Sequence, residues 1–159
     1  MEFNGEMPGG GGTHKLIIRL MREDDIPSVR EIEQISCSTP CTDEFFLTLI
    51  YKKNAFSKVA VLEGKIIGYL CVEYLLHESH LLDLAVHPDF RRRGIATILM
   101  NEAIRELKTK GCVFIYLKTR GSNTDAQEFY KLFGFKPEGI RKKYYDNPDE
   151  DAILMMGRL

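Results

Sequence analysis

The sequence lacks the patterns that mark disulfide-rich, zinc-binding and membrane-spanning proteins. Its four cysteines form no CxxC pair and its four histidines are scattered, so neither a disulfide framework nor a zinc finger is expected. The longest apolar stretch with few charges, residues 66–76, is too short to cross a bilayer. The first residues show no signal-peptide pattern. We therefore expect free thiols, no bound metal and a cytoplasmic protein.

A strong net charge is also lacking, since 22 Lys and Arg against 23 Asp and Glu give a net charge of −1. Attraction of the whole molecule to nucleic acid or to an anionic membrane is therefore not expected. The charge is unevenly distributed, because residues 88–120 hold 8 Lys and Arg against 3 Asp and Glu. This basic block predicts an anionic ligand in the middle of the chain.

The length of 159 residues fits one domain. The glycine run at residues 9–12 predicts a flexible leader over residues 1–14, followed by a single domain over 15–159. Apolar spacing in that domain predicts strands at 15–21, 57–63, 65–76, 80–86, 113–117, 135–141 and 152–156, and helices beginning near residues 26, 42, 94 and 123. Strands connected both by hairpins and by helical crossovers predict an α+β fold, with one mixed sheet of about seven strands flanked by about four helices.

The segment from Leu84 to Thr97 is the most informative for chemistry. A buried strand ends there, a short loop turns at Pro88, and three arginines and Gly94 precede a helix. The first turn of a helix offers unpaired N–H groups and a positive dipole end, which suit a phosphate or pyrophosphate. A solvated basic helix entry is the alternative. A P-loop is excluded because Ile95 follows the glycine, and a Rossmann fingerprint because the segment has one glycine.

This segment and the residues downstream of it resemble the GCN5-related N-acetyltransferase (GNAT) family. The run from Arg91 to Ala96 is similar to the family's Q/R-x-x-G-x-G/A signature. Residues 120–130, which read R-x-S-N-x-x-A-x-x-x-Y, and the pair Tyr144-Tyr145 are similar to the RimI-type branch of ribosomal-protein and N-terminal acetyltransferases. The resemblance extends over residues 16–157 and implies the GNAT fold.

The resemblance implies acetyl-CoA as cosubstrate. The pantetheine arm is expected along the strand before the loop, and the pyrophosphate on the amides of the loop. Asn123 is expected to contact the cofactor arm, although it is also a good helix N-cap. The expected cofactor-binding residues are Leu84, Ala85, Val86, Arg91, Arg92, Arg93, Gly94, Ile95, Ala96, Thr97, Asn123 and Tyr130.

Three residues are expected to carry proton transfer. The resemblance implies that Tyr130 protonates the departing CoA thiolate, which a phenol of pKa about 10 can do in a dry site; on its residues alone, the helix of Tyr130 also fits a core stripe. Lys118 stands where RimI-type enzymes usually have Glu or His, and a charged lysine cannot accept a proton. We therefore expect His80 to be the general base, with Glu73 as a weaker candidate.

A peptide substrate is expected between the loop of Thr39, Pro40 and Cys41 and the hairpin that carries Tyr144 and Tyr145. The alternative for the two tyrosines is ordinary aromatic packing. An α-amino group has a pKa of about 7.7–8.0 and is partly neutral near pH 7, whereas a lysine of pKa about 10.4 is almost wholly charged. Because the expected site has only a weak proton acceptor, protein N-termini are favoured over lysine side chains as acetyl acceptors.

The expected reaction is transfer of acetyl from acetyl-CoA to the α-amino group of a ribosomal protein or nascent chain, by direct attack in a ternary complex. Two other functions are compatible with the residues: acetylation of lysine or a small amine, and a non-catalytic acyl-CoA-binding module in which Lys118 marks lost chemistry. We expect a monomer without nucleic-acid or membrane partners. The resemblance also allows the ribosome or an auxiliary subunit as a protein partner.

Overall fold

One mixed sheet with helices on both faces forms the fold. The computed structural model describes residues 3–9 and 12–159. The seven strands and four helices that the sequence predicts are all present, which confirms the α+β fold class. The elements are β1 (Phe3–Gly9), β2 (Gly12–Leu20), α1 (Ile26–Ser36), α2 (Asp43–Tyr51), β3 (Ala55–Leu62), β4 (Lys65–Leu75), β5 (Glu78–Val86), α3 (Ile95–Thr109), β6 (Phe114–Arg120), α4 (Thr124–Leu132), β7 (Lys136–Tyr145) and β8 (Glu150–Arg158).

The strand order within the described residues is β1-β2-β3-β4-β5-β6-β8-β7. Every neighbouring pair is antiparallel except β5 and β6, which run parallel. A parallel pair needs a long crossover between its strands, and α3 supplies it. Within the described residues the sheet therefore contains one parallel junction, between β5 and β6.

The N-terminal segment differs from the expected leader. Residues 3–9 form β1, which pairs antiparallel with β2 from Phe3↔Ile18 to Gly9↔Gly12. The outer edge of β2 presents backbone N–H and C=O groups that an extended segment can pair with, whatever its side chains. Residues 3–9 and 12–14 are therefore in strands, which corrects the expected flexible leader there. Residues 10 and 11 of the glycine run lie outside the described residues. The assignment of residues 15–159 to one domain stays a prediction.

Two apolar clusters cover the two faces of the sheet. The stripe of α3, including Leu99 and Leu107, is buried against one face, as its 3.6-residue spacing predicts. The other face is covered by α1 and α2, through buried Val29, Ile32 and Phe46. Each such side chain contributes roughly 1.5–3 kcal/mol when it is withdrawn from water. In the part of the chain that is described, no helix has the length and apolarity to cross a membrane.

Candidate active site

The parallel strands β5 and β6 pair only at their beginnings, from Glu78↔Phe114 to His80↔Tyr116. Beyond this point β5 continues to pair with β4, and β6 with β8. The edges of β5 and β6 that face each other are therefore left with backbone groups free to pair with an extended ligand. A cavity of about 930 Å³ opens in this gap, lined by both strands, the end of α1, the loop after it, α4 and β7.

A β-bulge marks the place where β5 leaves β6. Leu81 pairs with Val72 and Asp83 pairs with Cys71, so that Leu82 is an extra residue on β5. A bulge bends its strand and increases the local twist. The bend lies just after the last paired residue, His80, and it therefore turns β5 away from β6 and opens the cavity.

The strand predicted to hold the pantetheine arm borders this gap. Leu84 and Ala85 line the cavity, as expected for backbone groups that a cofactor arm could reach. Val86 is not among the lining residues, and its carbonyl accepts a hydrogen bond from Arg91 Nε at 2.9 Å. The cofactor role of Leu84 and Ala85 stays a prediction, while the carbonyl of Val86 already has a partner.

The predicted pyrophosphate loop enters α3 through Gly94, whose φ of +81° is a left-handed conformation that favours glycine. A Cβ at Gly94 would meet no atom within 4 Å, so backbone conformation rather than crowding calls for glycine there. Arg91 also donates to Ser36 Oγ at 3.2 Å, and the guanidinium of Arg93 lies 5.3 Å from the ring centroid of Phe90. The pyrophosphate-binding role of these residues and of Arg92, Ile95, Ala96 and Thr97 stays a prediction.

The helix α4 brings Asn123 and Tyr130 to the cavity. Asn123 Oδ1 accepts a hydrogen bond from the amide of Ala126 at 3.2 Å, so Asn123 is the N-cap of α4, and it also lines the cavity. Tyr130 is 8% exposed and lines the cavity as well. Burial raises the pKa of Tyr130, and the nearby charges of Asp83 and Tyr145 raise it further. The phenol therefore stays protonated near neutral pH, as a proton donor must be before it acts.

The two predicted bases lie in different surroundings. His80 is exposed at the edge of the cavity, and its ring stacks on Tyr116 with centroids 5.5 Å apart. Glu73 pairs with His80 across β4 and β5, but Lys52 Nζ holds its carboxylate at 2.7 Å. Glu73 lines a second cavity of about 450 Å³ and is not among the residues that line the larger one. Their catalytic roles stay predictions.

The expected peptide-binding segments meet at the mouth of the cavity. Thr39, Cys41, Tyr144 and Tyr145 line it, whereas Pro40 is not among its lining residues. The rings of Tyr144 and Tyr145 contact each other edge to face, with centroids 4.9 Å apart. Lys118 Nζ lies 5.3 Å from the ring centroid of Tyr144, so this lysine packs on the hairpin. The substrate-binding role of these residues stays a prediction.

One arginine connects these segments, and sequence reasoning assigned it no role. Arg120 donates to the carbonyls of Asp146 and Pro148 at 2.8 and 2.9 Å, and to Ser38 Oγ at 3.1 Å. Its guanidinium also lies 4.6 Å from the ring centroid of Tyr145. Arg120 is the first residue of the R-x-S-N motif, and its place in that motif was the sequence signal for a role at the site. It holds the turn between β7 and β8 against the loop after α1.

A buried acidic group on the sheet face covered by α1 was also missed. Tyr69 Oη donates a hydrogen bond to Glu33, which is 2% exposed, and lies 3.3 Å from Asp83 Oδ2. The amide of Cys41 donates to Glu33 Oε1 at 3.2 Å. Sequence signals existed: Glu33 follows Ile26 and Val29 on the apolar face of α1, and Asp83 interrupts an otherwise apolar strand.

The same group could be considered as a metal site. One carboxylate oxygen each from Glu33 and Asp83 and the Cys41 sulfur lie within 4.8 Å of one another. A zinc-like ion would need the thiolate form of Cys41. Burial and the charges of Asp83 and Glu33 raise the pKa of the Cys41 thiol, which keeps it protonated. This chemistry fits hydrogen bonding within the group better than metal ligation, and the expected absence of a metal stays a prediction.

Comparisons with known proteins agree with this geometry. The model of the acetyltransferase (GNAT) family matches residues 26–135. The ribosomal protein bS18-alanine N-acetyltransferase of Salmonella typhimurium is 31% identical over 140 residues, which cover 87% of this chain and 94% of that protein. The crystal structure of the ribosomal-protein-S18-alanine N-acetyltransferase of Escherichia coli superposes with a TM-score of 0.83 at 28% identity, covering 90% of this chain and 93% of that one. The crystal structure of Ard1 from Thermoplasma volcanium gives a TM-score of 0.84 at 26% identity, with 91% and 97% covered.

The fold and the matching family model together define a CoA-dependent acyltransferase. The chain belongs to the GNAT acetyltransferase family. It is an acetyl-CoA-dependent N-acetyltransferase, with acetyl-CoA as its cosubstrate.

Proposed function

We propose that this enzyme acetylates the α-amino group of a protein N-terminus, with a ribosomal protein of the bS18 type as substrate. The observation that carries the proposal is the gap between β5 and β6, which lies beside Tyr130 and opens between the loop after α1 and the Tyr144-Tyr145 hairpin. Relatives of about 30% identity, which match this chain over nearly their whole length, are named for that reaction. Such a substrate is made in the cytoplasm, where we place the enzyme, acting as a monomer on ribosomal protein or on the ribosome.

Acetyl transfer is proposed to occur by direct attack of the amine on the thioester. A covalent acetyl-cysteine would need a thiolate nucleophile at the cavity. Cys37 and Cys41 both line the cavity, and Cys37 Sγ donates to the carbonyl of Thr39 at 3.3 Å. Cys41 meets the acidic group, and burial together with the charges of Asp83 and Glu33 raises the pKa of Cys41. Its thiol is therefore a poor nucleophile near neutral pH, which favours a ternary complex of enzyme, acetyl-CoA and peptide.

The α-amino group is favoured over lysine as acceptor by its acidity. With a pKa of about 7.7–8.0 it is partly neutral near pH 7.4, whereas a lysine side chain of pKa about 10.4 is about a thousandth neutral. Lys118 packs on Tyr144 and offers no proton acceptor at the position where related enzymes usually have one. The substrate that is easiest to deprotonate therefore fits this site best.

Peptide acetylation followed by mass spectrometry tests the proposal. The purified chain is incubated with acetyl-CoA and a peptide beginning with the alanine of bS18. The matched control is the same peptide with a blocked α-amino group and an internal lysine. We expect acetylation at the α-nitrogen of the first peptide and no reaction with the second. Acetylation of the lysine alone, or CoA binding without turnover of any peptide, would overturn the proposal.

A further inference from the structure

Two carboxyl groups face each other at the inner wall of the cavity. Glu33 comes from the buried side of α1, and Asp83 comes from β5 directly after the bulge at Leu82. Their carboxylate oxygens lie within 4.8 Å, and Tyr69 Oη lies between them as a common hydrogen-bond partner. Two carboxyls this close in a desolvated place cannot both ionise easily, so the pair holds one proton and one negative charge near neutrality.

Neither carboxyl has a positively charged ion-pair partner among the residues that the structure describes. Across the described ranges, no Lys, Arg or His nitrogen lies within 4.0 Å of either carboxylate. The helix, loop and strand packed around the pair present hydroxyl and thiol groups instead. The titratable groups that interact with Asp83 are Glu33, Cys41, Tyr69, Cys71 and Tyr130.

The pair also lies next to the residue expected to protonate the leaving group. Asp83 and Tyr130 both line the cavity, and the charge of Asp83 contributes to the raised pKa of Tyr130. His80 is placed differently, since it is exposed and stacked on Tyr116 at the edge of the cavity. Among the described residues, Asp83 is half-buried and acts electrostatically on Tyr130, and its partner Glu33 is buried.

We propose that Glu33 and Asp83 together accept the proton of the attacking amine in this enzyme, with Tyr69 positioning the two carboxyls. The inference rests on the proposed function, because it needs an amine that enters the cavity unprotonated. The neutral α-amino group donates an N–H hydrogen bond to the ionised carboxylate, which directs its lone pair towards the thioester carbon.

Proton transfer then balances within the site. As the N–C bond forms and the C–S bond breaks, the nitrogen loses one proton to the carboxyl pair, and the sulfur takes the phenol proton of Tyr130. The pair returns its extra proton to the Tyr130 phenolate. The products are the acetylated N-terminus and CoA thiol, and the pair is left with the one proton it held at the start.

Carboxamide variants test the inference directly. Glu33→Gln and Asp83→Asn keep the shape of each side chain but remove the acceptor, so each is expected to lower kcat by about 10²-fold or more, the usual contribution of a general base. The affinity for acetyl-CoA, measured by calorimetry, should change less than about twofold. His80→Ala should lower kcat by less than about tenfold. Asp25→Asn is the matched control, because Asp25 is a buried aspartate remote from the cavity lining, and its kcat should equal that of the wild type.

The pH profile and the conservative variant separate a catalytic role from a structural one. The pair acts as a base in its ionised form and the amine must be neutral, so kcat/KM of the wild type should rise as the pH rises and should not fall when the pair loses its remaining proton. Asp83→Asn should keep a low kcat at every pH, and Asp83→Glu, which retains a carboxylate, should restore part of kcat. A wild-type kcat/KM that falls as the pH rises through the range in which the amine becomes neutral would overturn the inference, and this test needs no variant to fold.

The outcomes also separate this inference from the proposed function. A wild-type enzyme that acetylates no α-amino group would refute the proposed function itself. A wild-type enzyme that turns over the bS18 peptide, with Glu33→Gln and Asp83→Asn retaining kcat within about threefold, would refute the carboxyl pair alone. A large loss in His80→Ala that is greater at pH 6.5 than at pH 8.5, with little loss in the carboxamide variants, would return the role of base to His80.

Discussion

Asp25 is a buried aspartate and Asp83 is a half-buried one, and their surroundings are opposite. Asp25, which is 6% exposed, receives two hydrogen bonds from Arg19, at 2.7 and 2.9 Å, and one from the amide of Arg22 at 2.7 Å. Burial alone would raise its pKa, but these partners outweigh burial and lower it. Burial raises the pKa of Asp83 to about 9, and hydrogen bonding and repulsion from Glu33 add to the effect.

The difference shows which buried charges serve the fold and which are available for chemistry. The Arg19–Asp25 pair is satisfied on both sides and ties β2 to the start of α1. Lys58 and Glu106, 3.5 Å apart, form a second compensated pair between β3 and α3. Asp83 meets another carboxyl instead of a cation, and it does so at the cavity. An uncompensated group of this kind is unfavourable for stability and is typical of functional sites.

Removing the compensating cation from Asp25 is expected to have the largest effect. Arg19→Ala leaves a buried carboxylate without its bidentate partner, and breaking such a pair costs about 3 kcal/mol or more. The free energy of unfolding should fall by that amount in urea titrations at pH 7. The specific activity of the folded enzyme should be unchanged, since Arg19 is not among the residues lining the cavity. A loss below about 1 kcal/mol would show that Arg19 compensates the charge of Asp25 only weakly.

Tyr130→Phe tests the partner of Asp83. The change removes one hydroxyl and leaves the apolar contacts of the ring with Phe129 and Phe135. We expect kcat to fall by about 10²-fold, with KM for the peptide little changed, because the phenol acts on the leaving thiolate and not in ground-state binding. Steady-state kinetics at saturating acetyl-CoA measure both. A rise in KM with kcat preserved would assign Tyr130 to packing alone.

Asp83→Asn is expected to change the pH dependence of stability by a smaller amount. Because the folded-state pKa of Asp83 is raised above its unfolded value of 3.8, the folded protein keeps a proton that the unfolded chain releases, and wild-type stability falls as the pH rises from about 4 to 9. The variant has no carboxyl group at position 83 and therefore lacks this pH-dependent contribution to stability. Its free energy of unfolding should therefore gain at least about 1 kcal/mol relative to wild type across that window. Parallel stability curves for the two proteins would contradict this assignment.

Much of the fold follows from local patterns in the sequence. The buried stripe of α3 and the cap at Asn123 each depend on a few neighbouring residues, and the sequence predicts both. The burial of Tyr130 also follows from the spacing of α4. These features are determined by backbone conformation and helical periodicity, which are visible in a single sequence.

The features that sequence reasoning missed depend on segments that are distant along the chain. Glu33 and Asp83 meet because α1 packs on β5, and Arg120 reaches Ser38 because the end of β6 lies beside the loop after α1. The strand β1 pairs with the edge of β2, a backbone pairing that local periodicity does not predict. Local periodicity places Glu33 on the apolar face of its helix, but only the tertiary structure shows that a second carboxyl is opposite.

The titration of individual carboxyl groups by ¹³C NMR tests the central contrast most directly. Carbon-labelled aspartate reports Asp25 and Asp83 in the same sample, with Asp25→Asn and Asp83→Asn to assign the signals. We predict that Asp83 titrates with an apparent pKa near 9 and Asp25 below 3.8. If Asp83 instead titrates near the ordinary value of about 3.9, the two carboxyls share no proton and the account of the site is contradicted.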